Sequence, residues 1–581
     1  MGVNIKSKLQ YLFRFSETQV IITMSIVVGL GTAFGAIFFI KLIEYFREIF
    51  FGYSEKVMTT LVGTFSYWTP LIPMAGALIV GPIVYRFAVE ARGHGVPEVM
   101  DAVARKGGII RARVALAKAV ASAICIGSGG SAGREGPIVQ IGSAIGSGIG
   151  QLFKMSGSRV KILVGCGAAA GISAVFNAPI AGVIFSLEII LGDFAIKTFS
   201  PVLLSSVVAS VVTRTFLGDH PAFNVPDYSL VSAAEIPLYM ILGGLCGGVA
   251  VLFTKTLSSF ETLFDKIKMQ PMLKPALGGL ILGIIGVYFP QVFADGYETI
   301  RLTLYGNMMV WLMLILIFLK IIATSLTLGS GNSGGIFAPS LFIGAVTGGT
   351  FGYFMHLLLP SITATAGAYA LVGMAALVAG TTHAPITALL IIFEMTGDYR
   401  IILPLMVAVV FSTLVARKIF EPSIYTVKLI RRGIFLKAGK DTAILQASKV
   451  SEVMDRDFET IPTNMPLVKI METIESSKET NFVVIDRQGR FVGTLSLQHI
   501  LGIITQHTLD YLVIAKDIAS TDYVTVCPDD DLEIAQKRFA LSDCSFIPVV
   551  NRDDPSLILG VLRREALVQY YNRKLIESFR Q

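Results

Sequence analysis

The sequence predicts a polytopic α-helical membrane protein made of two related helical halves, followed by a soluble α/β part. Three observations carry this. First, apolar runs recur from Gln19 to Phe420, many of them near the 20 or so residues that a bilayer span takes, and the composition turns ordinary and soluble from about Lys428. Over the whole chain 53% of the residues are hydrophobic and only 15% are charged, with a mean hydropathy of +0.68. Second, Gly127–Pro137 (GSGGSAGREGP) returns as Gly329–Pro339 (GSGNSGGIFAP), and the register holds upstream, so that Lys118–Pro137 and Lys320–Pro339 share eight of twenty positions. Asn177–Glu188 (NAPIAGVIFSLE) likewise returns as His383–Glu394 (HAPITALLIIFE). Shared glycine content alone does not explain a fixed register that includes a lysine, a serine and a proline, so the pattern is an internal duplication. Third, the soluble part reads as two similar units, each a helix, a strand, a turn, a strand and a helix.

Charge and cysteines narrow the class further. The net charge of +7 comes from cations that flank the apolar part: Lys6, Lys8 and Arg14 before it, and Lys428, Arg431, Arg432, Lys437 and Lys440 after it. This is a membrane-flanking pattern and not a nucleic-acid footprint, and it places both termini and the soluble part in the cytoplasm of an inner or plasma membrane protein. The five cysteines show neither metal-ligand spacing nor a disulfide framework. The first apolar run is long and lacks a cleavage signal, so it reads as a retained span.

In chain order, residues 1–17 read as an interfacial helix, with Ile5, Leu9, Leu12 and Phe13 set among cations. The helical membrane part runs over 18–425, with repeats at about 18–217 and 235–420. Its spans and shorter apolar segments include Val20–Ile43, Pro70–Phe87, Phe199–Leu217, Leu238–Thr254, Ala276–Val287, Met309–Leu328, Ile343–Leu358, Ala366–Thr381 and Ile401–Val415. Several are short or broken by glycine, as expected of helices that stop inside the protein. A basic linker covers 426–449, and the two soluble units cover 450–505 and 515–575.

The glycine-rich breaks are the candidate site. Glycines let backbone N–H groups turn into a cavity, and a helix starting at the end of each break adds the positive pole of its dipole. Broken helices in duplicated halves place a substrate site at the interface of the halves. Glu135 stands where one such helix begins and reads as a tethered acid that competes with an anion for the same donors; the alternative is a helix-start acid serving the dipole alone. Gly93–Val99 (GHGVPEV) is a third glycine turn before a short helix. Its His94 is either a donor to the anion, making binding pH-sensitive, or a loop histidine facing water. Lys118 and Lys320 lie inside apolar stretches; Lys118 is expected to give background electrostatic support, the alternative being a side chain that ends on backbone carbonyls.

GHGVPE (Gly93–Glu98), GREGP (Gly133–Pro137), GGIFAP (Gly334–Pro339) and Tyr425 occur in an order and spacing that resemble the CLC family of chloride channels and chloride/proton exchangers, over residues of about 15 to 435. The resemblance implies an inverted repeat and a homodimer with one pathway per subunit. It implies that Glu135 is the gate, that the amides of Ile336 and Phe337 hold the central anion, and that Tyr425 donates its hydroxyl at the inner side. His94 and Gly95 belong to the loop that usually supplies a serine hydroxyl; His94 stands at that serine position, where selectivity between anions tends to be set. Arg134 and Gly136 flank the gate in the expected anion-binding set. No metal ligand and no catalytic residue is expected. The inner acid that many of the family's exchangers use corresponds to Ile189, while Glu188 matches the preceding acid and pairs in the repeat with Glu394.

The soluble units resemble a tandem pair of CBS domains. In that family a Gly-x-x-Ser/Thr-x-x-Asp pattern helps bind an adenosine ribose. Here the first unit has Gly493 and Ser496 with His499 in place of Asp, and the second has Gly560, Arg563 and Ala566. No cofactor is therefore expected, and scaffolding and dimerisation fit the pair better than adenine-nucleotide binding, with a basic patch at Arg563 and Arg564 left as a place for an anionic ligand.

The resulting expectation is non-enzymatic transport of chloride or a similar small anion, gated by Glu135. Ile189 favours a passive channel over a chloride/proton exchanger with another inner proton route. A CBS-regulated cation carrier would need acids lining the membrane breaks, which hold at most one each. A membrane-anchored ligand sensor would need intact nucleotide motifs.

Overall fold

The computed structural model describes residues 17–52, 70–219, 223, 225–226, 228, 230–432, 434, 445, 448–477, 481–496, 500, 513–521, 523–541 and 545–580. The expected interfacial helix lies outside these, apart from Glu17, which opens the first helix. The chain divides into two compact units, Met1–Leu436 and Lys437–Gln581.

Among its described residues the first unit is built of helices. In order it comprises α1 (Glu17–Phe51), α2 (Leu71–Pro82, continued by a wider turn over Ile83–Phe87), α3 (Val96–Arg105), α4 (Ala112–Gly127), α5 (Glu135–Leu152), α6 (Gly157–Phe176), α7 (Pro179–Phe185, continued over Ser186–Leu191) and α8 (Ile196–Leu217). Then come α9 (Ile236–Lys266), α10 (Lys274–Tyr288), α11 (Tyr297–Leu304), α12 (Val310–Gly329), α13 (Phe337–Leu358), α14 (Ala366–Thr382), α15 (Pro385–Thr396) and α16 (Ile402–Ile419), closed by the short α17 (Thr426–Arg431). Among the described residues, eight helices are long and apolar enough to cross a membrane. Proline in the first turn marks several starts, where a fixed φ suits the helix and no N–H partner is missing: Pro97, Pro179 and Pro385.

The duplication is visible in three dimensions, α1–α8 repeating as α9–α16. Lys118 Nζ donates to the carbonyls of Ala91 (3.0 Å) and Gly93 (2.6 Å), and Lys320 Nζ to those of Val292 and Ala294 (both 3.0 Å). Asn177 ends α6 and His383 ends α14, both in the left-handed conformation (φ 57° and 59°). Small residues let α5 lie against α6 and α13 against α14 with backbones almost touching. A Cβ on Gly142 would stand 2.2 Å from the Gly167 carbonyl, and one on Gly344 would stand 2.5 Å from that of Gly373.

The halves also exchange contacts reciprocally. Glu188 of α7 accepts from the Thr387 amide (2.8 Å) and hydroxyl (2.6 Å) at the start of α15. Glu394 of α15 accepts from the amides of Ile180 (3.0 Å) and Ala181 (2.6 Å) at the start of α7. Each carboxylate thus caps the positive end of its counterpart's helix, the mutual arrangement that a pseudo-twofold relation between halves produces.

The second unit holds the two soluble subdomains. In the first, β1 (Thr460–Pro462) runs parallel to β2 (Asn481–Ile485), which is antiparallel to β3 (Phe491–Ser496). In the second, β4 (Phe546–Val550) pairs antiparallel with β5 (Ile558–Arg563). Separate apolar cores fill them, one around Ile461, Ile470, Phe482 and Leu495 and the other around Val526, Leu532, Ile547 and Leu562.

Candidate functional site

The three glycine-rich loops meet at the starts of α3, α5 and α13. Gly133 and Gly335 form an antiparallel bridge, with Gly133 N donating to Gly335 O (2.8 Å) and Gly335 N to Gly133 O (2.6 Å). Gly93 N donates to Asn332 O (2.9 Å), and Gly334 N to Gly93 O (3.2 Å). Buried hydroxyl pairs tie the preceding helix of each half to the loop of the other: Ser122 of α4 with Ser333 (2.8 Å) and Thr324 of α12 with Ser131 (3.0 Å). Three helix N-termini, each a source of unspent amide donors, are thereby fixed around one point.

Glu135 is the first residue of α5 and is 1% exposed. Its Oε2 accepts from the amide of Ala338 (3.3 Å), in the first turn of α13, and its Oε1 from the Tyr297 hydroxyl (2.7 Å). The carboxylate of one half therefore rests on the helix start of the other. Gly133 is what lets it in, since a Cβ there would lie 2.1 Å from Oε2. Gly136 is equally constrained: its Cβ would meet the His94 carbonyl at 2.3 Å.

Ile336 caps α13 and Phe337 opens it, both buried, with Phe337 packed on Phe176 (ring centroids 5.3 Å apart). Tyr425, 2% exposed, precedes α17 and lies 5.7 Å from the His94 ring, centroid to centroid. His94 is 1% exposed, so the water-facing alternative fails; its Nδ1 has no hydrogen-bond partner among the described residues. Gly95 sits at φ +83° before α3, a conformation that side chains disfavour. Arg134 caps α5, and its guanidinium carbon lies 5.2 Å from the centroid of the Tyr297 ring.

Lys118 takes the carbonyl-seeking alternative: its ammonium donates to the carbonyls of the loop that carries His94, so it shapes the site. Tyr297 escaped the sequence reading, although a signal was there. Gly296 precedes α11 at φ +80° as Gly95 precedes α3, so this loop is the repeat of GHGVPEV. Ile189 lies buried in the extension of α7.

In the soluble unit, Arg563 is paired with Asp455 (2.6 Å), and Arg564 stacks on Phe539 and donates to its carbonyl (3.0 Å). Both cations of the expected anionic-ligand patch are thus committed to internal contacts. His499 lies outside the described residues.

The family model described as voltage gated chloride channel matches residues 76–417, more than half of the chain. The chain belongs to the CLC family. It is an integral membrane CLC protein, and its residues 450–506 and 515–573 match the CBS domain model. Among relatives, a putative chloride channel protein ClcB-like of Ralstonia nicotianae is 34% identical over 70% of this chain and 97% of its own length. The chloride channel protein CLC-e of Arabidopsis thaliana is 32% identical over 86% and 79%. The H(+)/Cl(−) exchange transporter ClcA of Vibrio parahaemolyticus is 30% identical over 73% and 92%. Among solved structures, a slow cyanobacterial Cl−/H+ antiporter matches with a TM-score of 0.66 at 29% identity, covering 71% of this chain and 97% of that one. A eukaryotic CLC transporter shares the fold over 95% and 99%, with a TM-score of 0.66 at 22% identity.

Proposed function

We propose that this CLC protein carries chloride across its membrane through the point where α3, α5 and α13 meet, and that Glu135 is the gate. One observation carries this reading: the Glu135 carboxylate, itself an anion, occupies a seat made by the Ala338 amide at the start of α13. A dehydrated chloride needs donors of that kind, strong enough to replace water and weak enough to release the ion. Ile336 and Phe337 at the same helix start, Gly95, Arg134 and Gly136 around it, and the side chains of His94 and Tyr425 make up the proposed anion-binding set. Protonation removes the charge of Glu135, its claim on the donors lapses and the anion takes its place. The protein works as a homodimer with one pathway per subunit, with its termini and CBS pair in the cytoplasm.

The buried apolar side chain of Ile189 favours a passive channel. A specific observation favours the exchanger as second reading. A cavity of about 510 Å³, lined in part by Glu90, Glu98 and Gln140, borders α5, and Glu90 Oε2 and Gln140 Oε1 are buried without partners among the described residues. Such acceptors call for water, and hydrated acids offer a proton route that bypasses Ile189. The reversal potential of reconstituted protein tests the choice. A channel follows the chloride gradient alone, whereas a shift with the proton gradient makes the protein an exchanger. Chloride flux that Glu135→Ala leaves with unchanged pH dependence sinks the gate.

A further inference from the structure

We propose that Tyr297 is a latch on the gate, a positioning residue that holds the Glu135 carboxylate in its seat and sets the pH at which the pathway opens. This rests on the reading of Glu135 as the gate.

The phenol donates to Glu135 Oε1 while the Ala338 amide donates to Oε2, so the two oxygens are held from two different elements. Arg134 lies over the face of the phenol, and a cation there draws electron density from the ring and sharpens the hydroxyl as a donor. Phe223 packs against the same ring, with centroids 5.3 Å apart.

The base of the latch is rigid. Lys320 pins the carbonyls of Val292 and Ala294 just upstream, and Ala294 is held at φ +49°, unusual for a residue with a side chain. Asp295 Oδ1 accepts from the Tyr297 amide (3.4 Å). The first half shows that the fold does not require a phenol here: Val96 follows Gly95 where Tyr297 follows Gly296. The charged and titratable groups facing Glu135 are Arg134 beside it, Asp295 and Tyr297 from the α11 loop and Tyr425 from the start of α17, with α13 contributing an amide. Of these side chains, the phenol of Tyr297 is the one seen hydrogen-bonded to the carboxylate among the described residues.

A donor to the carboxylate favours its charged, seated form. Removing that donor therefore lets the gate protonate at higher pH and yield more readily to chloride. The test is chloride efflux from liposomes holding the full-length protein, measured against pH. Tyr297→Phe is expected to raise the pH of half-maximal efflux by about one unit, a tenfold change in the protonation equilibrium, and to speed efflux at neutral pH. In the Glu135→Ala background, Tyr297→Phe is expected to change nothing further, and an additional effect there overturns the latch. 3-Fluorotyrosine at position 297 differs by one atom and donates more strongly, so it is expected to move the profile toward acid even if Tyr297→Phe does not fold; no shift, or an alkaline one, overturns the proposal. If Glu135→Ala flattens the profile while Tyr297→Phe leaves it in place, the latch fails and the gate stands. If Glu135→Ala itself keeps the native profile, both fail.

Discussion

At the scale of single residues, the proposed function turns on room for one carboxylate. Gly133→Ala puts a methyl group where Glu135 Oε2 sits. Gly133 is not among the glycines at positive φ, so alanine suits the local backbone conformation, but its methyl group would also come within 3.0 Å of the Ala338 Cβ and 3.1 Å of its amide nitrogen. Because the seat it fills is the anion's as well in the proposed reading, chloride efflux should fall and should no longer rise steeply as pH falls, and a native profile would show that neither the carboxylate nor the anion needs this seat. His94→Ser exchanges a buried imidazole for a small hydroxyl beside Tyr425, and the ratio of chloride to nitrate flux should change. An unchanged ratio with an unchanged pH profile would mean that the imidazole only fills space. Glu135, Ile336, Phe337 and Tyr425 were legible in the sequence because short motifs mark them. Tyr297 was not, because a lone tyrosine in an unremarkable loop gains meaning only when the duplicated loop is superposed on its twin. The fate of the Lys118 ammonium was legible only as a pair of alternatives, since choosing between them takes the positions of carbonyls more than twenty residues away.

At the scale of elements, the paired lysines make a joint prediction. Lys320→Met removes the donor seen on the Val292 and Ala294 carbonyls, at about 1–3 kcal/mol per group. After Lys118→Met the Ala91 carbonyl keeps the Ser333 hydroxyl (2.7 Å) and the Gly93 carbonyl keeps the Gly334 amide (3.2 Å), so thermal unfolding in detergent should fall further for Lys320→Met than for Lys118→Met. Equal losses would mean that the second donors in the first half do not compensate. Helix existence was well marked in the sequence by apolar runs and first-turn prolines, and helix length less so. The ninth helix was expected over Leu238–Thr254 but spans Ile236–Lys266; its last turns carry Lys255, Glu261, Asp265 and Lys266, so they fall outside the apolar run that marked it. Glu261 in that extension pairs with Arg431 (3.0 Å), a contact between residues 170 apart in sequence that no local pattern reveals.

At the scale of the whole molecule, the proposed pathway lies within the first compact unit, and the slow cyanobacterial antiporter matches this chain over 71% of its length while being covered over 97% of its own. Chloride efflux should therefore survive removal of residues 437–581. Complete loss of efflux with the truncated protein still folded would make the CBS pair a working part of the pathway. The duplication itself was plain in the sequence, but its reciprocal geometry was not, since identical motifs are compatible with side-by-side as well as inverted halves.

The swapped acids Glu188 and Glu394 carry one more consequence, for biosynthesis. Glu188 leaves the ribosome 198 residues ahead of Ile386, the first of the amides it caps. Until then its carboxylate lacks the amides it caps in the finished fold, and the start of α7 likewise waits for Glu394, so both caps are completed together only once α15 has been made.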